Sequence, residues 1–130
     1  MNKAKSKTTG PRRSPCPVAC SLDIVGDRWT LLVIRDLYLG RTRFRDFMAS
    51  PEGIPTNILS DRLERLLRHE IVKQVPATDG TKRFAYALTK KGQALGPLLE
   101  AMRQWGLKWD KETKILLTSK PGPTLRASVR

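Results

Sequence analysis

Residues 53–69 read GIPTNILSDRLERLLRH, and the order of the whole fold can be worked out from this stretch. Ile54 and Pro55 lead into it, and proline is tolerated where a helix begins because its missing N–H would have no partner there. At 100° per residue, Ile58, Leu59, Leu63, Leu66 and Leu67 gather on one side of a helix running to about His69. Asn57, Asp61, Glu64, Arg65 and Arg68 fall opposite, with Ser60 and Arg62 on the flanks. The leucine side packs inward, and the polar side is offered outward.

Upstream, Ser50, Pro51, Glu52 and Gly53 form a turn. Before it the pattern predicts a brief helical segment over 45–49 and a very short extended piece at Arg43 and Phe44. Further back lies a helix over 28–39 that Asp27 caps and Gly40 ends. Trp29, Leu31, Leu32, Val33, Ile34, Leu37 and Leu39 leave that helix only a narrow polar edge, so it is buried on most sides. A first short helix over 17–25 is bracketed by Pro15 and Pro17 and stopped by Gly26.

Downstream, the period changes to two. Ile71, Lys73 and Val75, then Phe84, Tyr86 and Leu88, alternate against their neighbours across Asp79-Gly80, a pair suited to a tight hairpin turn. Thr89 then caps a last helix reaching to about Lys111, with Pro97 expected to kink it near Gln93. Leu95, Leu98, Met102, Trp105 and Trp109 recur at spacings of three and four, the seam of a helix meeting a partner helix. Lys90 and Lys91 in its first turn oppose the helix dipole, a penalty that an external anion would relieve or that is simply tolerated at an exposed, salt-screened position.

The 130 residues bound one domain plus tails. The net charge of +13 points to a polyanionic partner. Much of the excess sits in residues 1–15 and 113–130, which carry no acid, are poor in aromatics and are expected to be disordered, leaving 16–112 as the folded domain. No apolar run approaches the roughly 20 residues that span a bilayer, and the first 15 residues lack the apolar centre of a secretory signal, so no membrane partner and a cytoplasmic location are expected. Cys16 and Cys20, four residues apart on one segment, do not make a secreted disulfide scaffold. One histidine, no glycine-rich phosphate loop and no metal-spaced Cys/His cluster argue against an enzyme, a cofactor or a metal.

Helix, short strand, short helix, longer helix and hairpin, in that order, is the layout of a winged helix-turn-helix, a mainly α class with a small β-hairpin. The chain resembles the HxlR family of winged-helix regulators, which is related to MarR-type proteins. The resemblance covers residues 16 to about 110. Cys16-Pro17-Val18, Gly26-Asp27-Arg28-Trp29-Thr30-Leu31-Leu32, Arg43-Phe44, the run from Gly53 through Leu63, Tyr86-Ala87-Leu88-Thr89 and Lys91-Gly92 carry it. It implies a homodimer, joined through the first and last helices, that binds a palindromic operator in double-stranded DNA with residues 56–69 in the major groove.

A helix approaches base edges most closely with its first turns, which makes Thr56, Asn57 and Ser60 the candidates for base contact. Asp61 suits a cytosine amine or merely a helix start. Arg43, Arg62, Arg65 and Arg68 suit phosphates, although each is equally a solvated surface charge. Lys82 and Arg83 follow the hairpin turn, where a wing would touch the backbone; the other reading is edge protection. Leu98, Met102, Trp105 and Trp109 are the dimer candidates, the alternative being packing within one chain against the helix over 28–39. Cys16 stands at a helix N-terminus, where the dipole favours a thiolate. Some relatives sense oxidants or electrophiles near this position, so the resemblance implies a thiol switch; a small buried packing role is the competing reading, and Cys20 is read as structural. A nonspecific architectural binder relying on the basic tails is a second functional class, and a protein-interaction module on an inherited scaffold a third.

Overall fold

Asp27 opens the helix around which the chain packs. The computed structural model describes residues 14–78, 80, 81 and 83–116. Its order is α1 (Pro17–Val25), α2 (Arg28–Tyr38), α3 (Phe44–Met48), α4 (Thr56–Arg68), β1 (Val72–Pro76), β2 (Phe84–Leu88), α5 (Lys90–Gln93) and α6 (Gly96–Trp109). The Asp27 carboxylate accepts from the N–H groups of Trp29 and Thr30 at 3.1 and 3.3 Å and from the Thr30 hydroxyl. Most of the basic tails, together with Asp79 and Lys82 of the hairpin, lies outside the described residues.

Val33, Ile34 and Leu37 of α2 meet Leu59, Leu63 and Leu66 of α4 in one buried cluster, with Phe47 of α3 closing it beside them. Ile71, Val72 and Leu88 bring the hairpin into the same core. The strands are antiparallel, in a register that pairs Val72 with Leu88 and Pro76 with Phe84. The short extended piece reduces to Arg43, since Phe44 already begins α3. The neighbouring Thr42 carbonyl nevertheless accepts the Tyr86 N–H at 2.9 Å, giving the hairpin one rung of a third strand.

The apolar phase of β2 differs from the expected alternation. Ala85 and Leu88 are buried, whereas Phe84 is 48% exposed. Phe84 lies at the end of the ribbon, opposite Pro76 and edge-on to Tyr86 at 5.7 Å between ring centres. Helix α4 ends at Arg68 with His69 as its C-cap, close to the expected end at about His69. The Ile71 N–H donates to the Leu66 carbonyl and that of Glu70 to Leu67, a Schellman close whose left-handed residue is Glu70 at φ 61°, not glycine.

The single helix expected over 89–111 is two. Thr89 caps α5 through Gly92 N–H at 3.1 Å, and the chain then turns at Ala94 and Leu95 to start α6. Pro97 therefore sits in the first turn of α6, where it breaks no helical hydrogen bond, and does not kink a continuous helix. A Cβ on Gly96 would lie 2.4 Å from the Tyr38 hydroxyl, so the glycine lets α6 start directly against α2. Lys91 needs no outside anion, because its ammonium donates to the His69 carbonyl at 2.7 Å, at the negative end of α4.

Candidate nucleic-acid interface

The polar side of α4 is open. Thr56, Asn57, Ser60, Asp61, Glu64 and Arg68 are exposed, while Leu59, Leu63 and Leu66 behind them are at most 2% exposed. At 100° per residue the open positions span about 140° of the helix circumference, with Ser60 and Glu64 near the middle. Thr56 and Asn57 occupy the first turn, which no side-chain cap closes; Pro55 precedes it in extended conformation.

Arg62 and Arg65 are not on that open side. Arg62 Nε donates to Asp27 Oδ2 at 2.8 Å, and its Nη1 pairs with Asp61. Arg65 Nη2 donates to the Ile24 carbonyl at 3.0 Å and, more distantly, to that of Asp23, with Nη1 3.6 Å from Asp27 Oδ1. Their side chains are 20% and 25% exposed. The outward placement expected for Arg65 therefore gives way to a contact with the end of α1. Burial pushes the Asp27 carboxyl up, but hydrogen bonds from Thr30 and Arg62, the Arg62 charge and the Trp29 N–H outweigh it and hold the group at about 2.

The loop that delivers α4 is pinned from α2. Both terminal nitrogens of Arg35 donate to Glu52 at 2.8 Å, and Arg35 also grips Asp36. The Arg35 hydrogen bonds hold the Glu52 carboxyl below its ordinary range. Asp36 is 3% exposed and accepts from the Ser50 hydroxyl; burial pushes its carboxyl up despite Ser50 and Arg35.

Of the remaining candidates, Arg43 is half-buried ahead of α3, and Arg83 is exposed beyond the hairpin turn. Sequence reasoning passed over Arg45, which α3 exposes. It also read Asp27 only as a cap, because no local pattern announces a partner 35 residues away. Cys16 is the exposed N-cap residue of α1, whereas Cys20 is half-buried with its thiol donating to the Ser14 carbonyl at 3.1 Å. Leu98, Met102, Trp105 and Trp109 form an open stripe on α6, the tryptophans 68% and 64% exposed, so neither packs against α2. Val18 and Leu22 make a smaller exposed stripe on α1, and a cleft of about 500 Å³ lined by Leu31, Leu32, Leu99 and Gly106 lies between α2 and α6.

An exposed polar helix held by two preceding helices, with a hairpin beside it, defines a winged helix-turn-helix protein. The family model described as HxlR-like helix-turn-helix matches residues 24–114, and the chain belongs to that family. The HTH-type transcriptional regulator Rv3095 of Mycobacterium tuberculosis H37Rv, itself uncharacterized, is 37% identical over 89 residues, 68% of this chain and 56% of that protein. The chain thus spans little more than half the length of this mycobacterial relative. YodB of Bacillus subtilis, an HTH-type transcriptional regulator, is 31% identical over 91 residues, 69% of this chain and 81% of YodB.

Among solved structures, PA1607, a candidate transcription factor, superposes with a TM-score of 0.71 at 41% identity, over 88% of this chain and 82% of that one. Reduced YodB gives 0.62 at 27% identity, over 78% and 100%. YodB has also been crystallised with a quinone bound, and that form gives 0.60 at 29% identity, over 72% and 100%. Among the described residues, no helix is long and apolar enough to cross a membrane, and no group of three or more metal-ligating side chains gathers.

Proposed function

We propose that this chain is a sequence-specific DNA-binding transcriptional regulator, not an enzyme, that binds a palindromic operator as a homodimer in the cytoplasm. The observation that carries the reading is α4 itself, whose first turn holds Thr56 and Asn57 exposed, with Ser60 beside them, on a helix immobilised by buried leucines. Asn57 can pair with adenine through two hydrogen bonds, and the two hydroxyls can serve either base edge. Arg43, Arg68, Lys82 and Arg83, with Arg45 added, reach for phosphates. The partner copy covers the stripe of Leu98, Met102, Trp105 and Trp109, which is otherwise a large apolar patch in water.

Cys16 makes the regulator responsive to oxidants or electrophiles. Its exposed thiol at the start of α1 supports this reading, as does the likeness to YodB, which has been crystallised in reduced and quinone-bound forms. A buried packing role for Cys16 does not fit its exposure.

Selection of bound fragments from genomic DNA tests the whole reading. Two α4 helices related by a dyad select an inverted repeat whose half-sites are about 10 bp apart. Removing residues 1–13 and 117–130 should then lower salt-sensitive affinity while keeping the preference for that repeat. Loss of nearly all binding on tail removal would favour the architectural reading instead, and recovery of no common sequence would defeat the regulator. Cys16→Ser should abolish the response of operator binding to diamide or benzoquinone; an undiminished response removes the switch.

A further inference from the structure

Four arginines, Arg43, Arg62, Arg65 and Arg68, look alike in the sequence as phosphate ligands, and the structure separates two of them. Arg62 stands about 160° round α4 from the centre of the open side, and Arg65 about 100°. Both aim at the junction of α1 and α2. Arg62 bridges Asp27, the residue that caps α2, to Asp61 of its own helix. Arg65 caps the last carbonyls of α1 and lies 3.6 Å from the other oxygen of Asp27. One carboxylate, 28% exposed, thus serves two backbone amides, a hydroxyl and two guanidinium groups. A leucine seam alone fixes how closely α4 approaches α2 but resists rotation of α4 about its axis only weakly. Planar guanidinium forks on its flank, each held in a set geometry, resist that rotation.

We propose that Arg62 and Arg65 are positioning residues that set the roll of α4 through Asp27 and the end of α1, and that phosphate binding is left to the exposed cations. The inference rests on the DNA-binding reading and refines it. Rotating α4 would carry Thr56, Asn57 and Ser60 off the base edges without changing how many counterions are displaced. A phosphate ligand behaves oppositely, lowering affinity for all duplexes alike and flattening the salt dependence.

The test uses the full chain, the selected inverted repeat and a random duplex of equal length, with fluorescence anisotropy over a range of salt concentrations. Arg68→Gln should reduce the slope of log K against log salt by about 1 and leave the operator preference intact. Arg62→Gln and Arg65→Gln should leave the slope unchanged and lower the ratio of operator to random binding about tenfold, the cost of a displaced base contact. Arg62→Lys, which keeps the charge and loses the fork, should not restore the ratio.

Asp27→Asn gives an opposite-sign test. If Arg62 served phosphates, removing the competing carboxylate would strengthen binding; if it positions α4, the operator preference falls as in Arg62→Gln. Asn keeps the cap on α2, so this variant folds even if the arginine variants do not. A reduced slope in Arg62→Gln or Arg65→Gln, or tighter operator binding by Asp27→Asn, overturns the inference while leaving the regulator standing. A wild-type chain that prefers no duplex overturns both.

Discussion

Asp27→Asn also isolates one charge in the stability of the fold. Asn caps a helix as well as Asp, so the substitution keeps an oxygen for the Trp29 and Thr30 N–H groups; it loses the acceptor of the Thr30 hydroxyl and the charge that attracts Arg62 and Arg65. In the folded protein the Asp27 carboxyl lies at about 2, against an ordinary 3.8. A carboxyl lowered by folding contributes stability above its unfolded value and loses it as pH falls through the folded one. The difference corresponds to roughly 2 kcal/mol at neutral pH. Because the side chain is 28% exposed, solvent screening brings the expectation to about 1–2 kcal/mol. Urea unfolding of the two proteins at a series of pH values measures it. The wild type should be the more stable by that amount from about pH 7 down to about pH 5, and the gap should close between about pH 4 and pH 2. The Glu52 carboxyl is also held below its ordinary value, so the difference between the two proteins carries the result. A gap that stays constant down to about pH 2, or none at neutral pH, refutes an ionic role for Asp27.

Gly92→Ala should cost about 3 kcal/mol by urea unfolding, because the new Cβ would lie 2.3 Å from the Ile71 carbonyl and 2.8 Å from Leu88; a loss under about 0.5 kcal/mol would contradict that packing. Glu70→Gly should raise stability by about 0.5–1 kcal/mol, since it relieves a left-handed residue in the close of α4, and a destabilised variant would show that Glu70 side-chain contacts outweigh its backbone. If α6 joins the proposed dimer, Trp105→Lys should give a folded monomer at micromolar concentration by sedimentation velocity where the wild type is dimeric; a variant that stays dimeric, or a monomeric wild type, removes α6 from the proposed interface.

The helices α1, α2 and α4 and the hairpin were legible because their signals are local. Asp27 before an apolar run, Pro17 at a first turn, leucines at helical spacing and an Asp-Gly turn each act within a few residues. The division of the last helix was not, because Pro97 fits a kink and a first turn equally well. Only the approach of Gly96 to Tyr38, nearly 60 residues earlier, decides for the first turn. The end of α4 near His69 was legible, but its left-handed close at Glu70 was not, since the usual glycine is missing. The base-contact candidates could be read from a helical wheel, but the fates of Arg62 and Arg65 could not. Their charge marks them as polar, and which polar group they meet depends on how α1 and α2 are placed in space.

The sorting of these arginines bears on where affinity and specificity come from. With Arg62 and Arg65 engaged internally, the open side of α4 carries Glu64 against Arg68, together with Asp61, whose charge is met by Arg62. A surface so balanced supplies little general attraction for a polyanion, and Asp61 or Glu64 placed against the wrong base repels it. General attraction must then come from cations elsewhere, on α3, on the hairpin and in the basic tails, whose contacts are blind to sequence. On the proposed reading, discrimination rests on Thr56, Asn57 and Ser60, and on whatever holds them at the correct angle. The two properties therefore reside in different residues. A change on the tails should alter salt sensitivity at constant specificity, and a change at the Asp27 junction should alter specificity at constant salt sensitivity.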